Sequence, residues 1–227
     1  DPDSSYEILS QDESRTDYLQ FPVQTLDYRS GDCDDLCILY SSLLEAVSIE
    51  TAFVTTPGHI FMAFALDMSE DEARGMFRSE DDYIVHEGKV WLPVEMTLID
   101  DDFVRAWEVG AQQWRKAAAE DTAGFFPVRS AWQVYGPTGF SSDADSSVVE
   151  DFPSVESVDK QFNDSLNQFV QLQIDPVVEK LKAGIAQRSS PRLINRLGTV
   201  YARYGLLDKA EEQFRRVADQ RYLPALI

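Results

Sequence analysis

Three side chains carry the chemistry this sequence could perform: the thiol of Cys33, the imidazole of His59 and the carboxylate of Glu95. Cys33 stands in Arg29-Ser30-Gly31-Asp32-Cys33-Asp34-Asp35-Leu36, at the expected N-terminal edge of a long helix. Unpaired backbone N–H groups and the helix dipole stabilise a thiolate there. His59 follows Pro57-Gly58 at the start of an expected strand that lies against this helix, so its imidazole can serve Cys33 as general base or imidazolium partner. A third group must orient that imidazole. Glu95, in the next expected strand within WLPVEMT, is the acid best placed by order and local structure. A cysteine on a helix, a histidine on one strand and an acid on its neighbour make a thiol-nucleophile triad. Cys37, one helical turn deeper than Cys33, reads as a buried and inert core residue.

The elements that must position these groups follow from periodicity. From Asp34 to Val47 the apolar residues Leu36, Leu39, Tyr40, Leu43, Leu44 and Val47 recur at spacings of three and four, predicting one buried helix face. ETAFVTT (50–56) and HIFMAFAL (59–66) are rich in β-branched and aromatic residues, and the Pro57-Gly58 turn between them predicts an antiparallel hairpin. Ser69 and Glu72 form a capping box that opens a short helix. Asp82 to Val85 and Lys89 to Met96 predict a second hairpin around His86-Glu87-Gly88, with His86 as a turn residue. A helix is expected over 103–119, led by Asp100-Asp101-Asp102, with Trp107 and Trp114 on one face packing on the core. Residues 1–30 read as short helices or irregular structure.

Three acids crowd the nucleophile. Asp32, Asp34 and Asp35 suit helix capping and dipole complementarity, and a weaker alternative is a Ca²⁺ site, since hard cations want several carboxylate oxygens. A zinc site built from Cys and His would need every one of the two Cys and two His in the chain, which argues against one. No metal and no organic cofactor is implied. The second oxyanion donor, beside the Cys33 backbone N–H, is sought at Gln24, nine residues upstream.

Charge narrows the partners. The 227 residues carry a net charge of −20. Residues 1–176 hold 35 acidic and 10 basic side chains, whereas 177–221 hold 5 and 10. The acidic body repels phosphate backbones, so nucleic acid and anionic membrane surfaces are poor candidate partners, and no nucleic-acid partner is expected. No stretch approaches the roughly 20 apolar residues of a membrane span. Residues 141–159, with six acids, six serines and no base, read as a solvated linker between a domain at 1–140 and a helical segment at 160–227. The chain does not open with Met, and LPALI (223–227) stops in mid-pattern, so a processed N-terminus and further helices beyond Ile227 are expected. The trimmed start and acidic surface favour an exported or periplasmic location.

The segment GDCDDLCILYSSLLEAVSIETAFVTTPGHIFMAF resembles the transglutaminase-like superfamily, with its Gly-Asp-Cys opening a helix, a following strand, a Pro-Gly-His segment and then an acid. The likeness covers about residues 20–100. It implies an α+β fold with a papain-like core, with Cys33 as nucleophile, His59 as general base and Glu95 as third member. The family usually has Asp there, followed two residues later by Thr; this chain has Glu95 and keeps Thr97. The resemblance implies amide hydrolysis or transamidation of a protein or peptide-like substrate. A catalytically silent binding module on the same fold is the alternative. Residues 191–224 resemble one tetratricopeptide repeat, carried by Leu197-Gly198, Tyr201, Gly205, Ala210 and Phe214, with Val217 and Pro224 as departures. That likeness implies a protein partner on these helices.

Overall fold

Thr51–Thr56 form strand β1, and Pro57-Gly58 returns the chain as β2 (His59–Leu66) in antiparallel register, Thr56 facing His59 and Val54 facing Phe61. Gly58 takes a φ of 72°, a conformation that costs glycine nothing and that closes the turn immediately before His59. The structure, a computed structural model, describes residues 18–136, 138–139 and 152–218. The chain divides into two compact units, Asp1–Ser157 and Val158–Ile227.

The first unit is α+β. Before the hairpin come α1 (Pro22–Tyr28) and α2 (Cys33–Ala46); after it come α3 (Glu70–Met76), a 3-10 turn at Glu80–Asp82, β3 (Ile84–His86) and β4 (Lys89–Val94). Then α4 (Phe103–Ala119), β5 (Gly124–Pro127) and α5 (Val128–Ala131) follow among the described residues. The five strands form one antiparallel sheet in the order β3-β4-β2-β1-β5. Ala52, Val54, Phe61, Ala63, Ile84 and Trp91 are buried together, with Trp114 of α4 and Phe125 of β5 packed against them. The cross-strand pairs Ala52–Ala63 and Val54–Phe61 place those residues at alternate positions, as a period of two requires.

Helix α4 fixes the strand that leads to Glu95. A Cβ on Gly110 would lie 2.8 Å from the backbone of Pro93 and Val94, so only glycine lets α4 lie this flat on β4. Asp102 caps α4 by accepting from Arg105 N at 2.9 Å. Gly110→Ala is expected to cost about 1–3 kcal/mol, because the clash is with backbone that cannot swing aside. Gly75→Ala in α3 meets nothing within 4 Å and is the matched control. Urea denaturation of both variants checks this: a Gly110→Ala midpoint equal to that of Gly75→Ala would refute the close-approach argument.

Several expectations need correction. In α2 the buried residues are Asp35, Leu36, Cys37, Leu39 and Ser41, while Tyr40, Leu43 and Val47 are exposed. Polar groups decide this rotation, since Ser41 Oγ bonds Thr51 Oγ1 at 2.6 Å and can therefore be buried. The second hairpin turns at Glu87-Gly88, and His86 is the last residue of β3, its ring 4.6 Å from that of Phe125. Strand β5 had no counterpart in the expected elements. Residues 155–159, expected as linker, open a helix instead.

The second unit is helical: α6 (Val155–Gln187), whose first turn precedes the boundary, then α7 (Pro191–Arg203) and α8 (Leu207–Ala218). Ser154 Oγ accepts from Ser157 N at 3.2 Å and starts α6. Ile174, Val178 and Leu181 of α6 are buried with Leu197, Tyr201 and Ala210. A Cβ on Gly198 would lie 2.6 Å from the Phe214 ring, so glycine sets the close packing of α7 on α8. Gly205, at φ 71°, turns the chain between them. Residues 1–17, the linker segment 141–151 and the LPALI end with Pro224 lie outside the described residues.

Candidate active site

The start of α2 is tightly specified. Gly31 has no room for a side chain, since a Cβ would sit 2.8 Å from Asp35 Cβ and 3.0 Å from Thr25 Cγ2. Asp35, fully buried, accepts from Gln20 N at 2.7 Å and Gln20 Nε2 at 2.6 Å, and from Asp32 N at 3.3 Å. These bonds tie the chain ahead of α1 to the turn that presents Cys33. Cys33 is the first residue of α2 and is half-buried. Its position leaves its N–H without an intrahelical acceptor.

The carboxylate and the imidazole meet directly. His59 Nε2 lies 2.6 Å from Glu95 Oε2. Thr97 holds the other oxygen, donating to Oε1 from its backbone N at 3.0 Å and from Oγ1 at 2.6 Å. Glu95 N donates to Ala106 O of α4 at 3.0 Å, which carries the fit at Gly110 through to the acid. The longer arm of Glu, compared with the Asp of the resembled family, is thus taken up by a fixed carboxylate with each oxygen engaged.

The electrostatics follow from these contacts. Hydrogen bonding to Cys33, then to Glu95, raises the His59 imidazole to about 10 against the opposing effect of burial. With Nε2 taken by Glu95, the ring nitrogen left for Cys33 is Nδ1. Burial pushes the Glu95 carboxyl up, but bonds from His59 and Thr97 outweigh it and bring the group down to about 2. At neutral pH the pair is therefore an imidazolium on a carboxylate, with its second N–H available to the sulfur. Cys37 differs sharply: it is fully buried, and burial followed by the charges of Glu95 and Cys33 raises its thiol far above the ordinary range. Its Sγ lies 3.8 Å from Ile60 O, a contact that suits a packed thiol.

Burial, reinforced by Asp34, raises the Asp32 carboxyl to about 6. The sign is fixed by that direction: the protonated form is favoured in the fold, so this contribution to stability is present below about 4 and lost as pH rises through about 6. Asn caps helices as well as Asp. Asp32→Asn is expected to stabilise the protein at pH 8 by about 1 kcal/mol, a figure reduced for solvent screening of a half-exposed group, and to do little at pH 4. Thermal melts at both values test it; equal effects would contradict the titration.

The remaining site expectations resolve individually. Gln24 lies in α1 with both ends of its carboxamide engaged, Oε1 accepting from Phe21 N at 2.8 Å and Nε2 donating to Tyr18 Oη at 2.7 Å. It caps its own helix, and one of its two amide N–H groups is engaged by Tyr18. Asp35, one of the three acids weighed for Ca²⁺, spends its oxygens on Gln20 and Asp32 N. Among the described residues, Asp32, Cys33 and Asp34 bring one ligand atom each within 4.8 Å of one another, a set with a thiol in it that does not resemble an all-oxygen calcium cage. Trp107 is buried and donates from Nε1 to Asp82 O at 2.7 Å, and the Trp114 ring stands 5.9 Å from Phe125. Gln20 escaped the sequence analysis, since nothing in its polar surroundings marks it as buried.

One face of His59 borders a cleft of about 450 Å³ between the β1–β2 turn and the C-terminal half of α4, whose walls include Thr56, Gln113, Lys116, Glu120 and Thr122. No protein-family model, curated protein or solved structure matches this chain. Among the described residues no helix is long and apolar enough to cross a membrane.

Proposed function

We propose that the first unit is a cysteine-dependent amide hydrolase or transamidase that works through a thioester, on a papain-like core of the transglutaminase-like kind. The observation that carries this is the bond from His59 Nε2 to Glu95 Oε2, which leaves the other imidazole nitrogen to a cysteine at a helix start. A buried carboxylate locked by Thr97 and aimed at an imidazole is what a nucleophile's base requires. The Cys33 thiolate attacks the amide carbonyl carbon, forming a C–S bond. His59 gives its proton to the nitrogen as the C–N bond breaks, and the amine departs. Water then loses a proton to His59 while its oxygen attacks the thioester, releasing the acid and restoring the thiolate; an amine in place of water yields a new amide. The unpaired Cys33 N–H is available to the developing oxyanion.

In the second unit, the Gly198–Phe214 approach and the buried Tyr201 support reading α7 and α8 as a tetratricopeptide-like pair for a protein partner.

The test is a trapped acyl-enzyme. Brief exposure to p-nitrophenyl acetate should acetylate the Cys33 peptide, and hydroxylamine should remove the adduct. In His59→Ala the adduct should form slowly and persist. Absence of an adduct on Cys33, or identical formation and decay without His59, would overturn the enzyme reading in favour of a silent binding module.

A further inference from the structure

We infer that the cleft beside His59 receives the amine side of the scissile amide, and that it selects an amine bearing its own free carboxylate: an amino acid or short peptide C-terminus. The inference rests on the acyl-transfer reading and adds its substrate class. The departing nitrogen must take its proton from His59, so the leaving group lies on the side of the imidazole that opens to a space. We assign that space to the cleft that borders His59, walled by the β1–β2 turn and α4, which at about 450 Å³ accommodates one or two residues.

Its charges define what fits. The Lys116 ammonium stands at the rim with no ion pair or hydrogen bond to any described residue. The neighbouring helix residues Arg105 and Arg115 each have a carboxylate within 4.0 Å. An ammonium without a carboxylate partner among the described residues is available to an incoming one. Glu120, one turn along α4, supplies the opposite charge at the same rim, which makes the cleft dipolar and suits a zwitterion. Gln113 Oε1 is shut from solvent and accepts no hydrogen bond. With Gln113 in the cleft wall, that unanswered acceptor is the group we assign to the incoming amine. Lys116 for the carboxylate and Gln113 with Glu120 for the amine end match an amino-acid leaving group. An uncharged amide end would leave Lys116 unanswered.

The experiment uses the full chain with Cys33→Ser, labelled with ¹⁵N-histidine. The chain has two histidines, so the His59 imidazole is read directly and His86 is the internal control. Glycylglycine and glycylglycinamide are titrated at neutral pH. Glycylglycine is expected to move the His59 signals and bind about fivefold more tightly than the amide, the size of a partly exposed charge pair. In Lys116→Gln the two ligands should bind alike. Equal affinities in the parent protein, a preference that survives Lys116→Gln, or shifts confined to His86 would each overturn the inference. Its failure is separable from failure of the acyl-transfer reading, because this titration needs no reactive thiol and the acetylation test needs no dipeptide.

Discussion

Replacing His59 with alanine is expected to slow iodoacetamide modification of Cys33 near neutral pH by about tenfold or more, because the imidazolium that bonds its sulfur is then gone. The imidazole is held up to about 10, first by its bond to Cys33, and so remains a cation throughout the neutral range. That cation faces the Cys33 sulfur as a counter-charge. Peptide mass mapping separates the two cysteines, and Cys37, fully buried, should stay unmodified in both proteins. The helix start remains in the variant, so some activation persists. An accessible Cys33 that reacts at the same rate with and without His59 would show that the thiolate–imidazolium pair does not operate.

The second large effect concerns Glu95, almost fully buried against His59. Glu95→Gln is expected to destabilise the protein by about 3 kcal/mol near pH 6, since it leaves a half-buried imidazolium without its anion. The pH dependence carries a sharper signature. The Glu95 carboxyl is lowered to about 2, so its contribution is present above about 4.5 and lost as pH falls through about 2. The His59 imidazole is raised to about 10, so its contribution is fully present below about 6.5 and lost as pH rises through about 10. The two directions describe one interaction, strongest between about 4.5 and 6.5. Urea denaturation across pH should show the difference between parent and variant peaking in that window and shrinking on both sides. A difference that does not vary with pH would mean that packing, not charge, is what Gln disrupts.

Much of this arrangement was legible because strong local signals coincide with the elements. Asp102 as cap and the spacing of Trp107 and Trp114 mark α4 from Phe103 to Ala119 as expected. The β-branched runs on either side of Pro57-Gly58 give the β1–β2 hairpin. Cys33, His59 and Glu95 stand out because reactive types occur at element starts and ends. What was not legible depended on tertiary contacts. Strand β5 is four residues, Gly-Phe-Phe-Pro, too short and too broken to carry a period of two, and exists by pairing with β1. The rotation of α2 turns on a hydroxyl pair, Ser41 with Thr51, that a hydrophobic count scores as two exposed polar residues. Gln20 and Gln24 look alike in sequence, yet one is buried on Asp35 and the other caps α1. The site thus emerged from chemistry, and its scaffolding from contacts no pattern encodes.

The burial of Cys37 has a bearing on how Cys33 ages. A reactive cysteine oxidised to its sulfenic acid is ordinarily rescued when a neighbouring thiol condenses with it and returns it through a disulfide. The chain has no third cysteine, and the second is sealed one turn down the same helix with its sulfur on Ile60 O. Side chains four apart on a helix run parallel, and neither sulfur can swing to the other without unwinding the turn. Within these 227 residues Cys33 thus has no resolving partner, and peroxide carries it on to the irreversible sulfinic state unless a thiol from elsewhere intervenes.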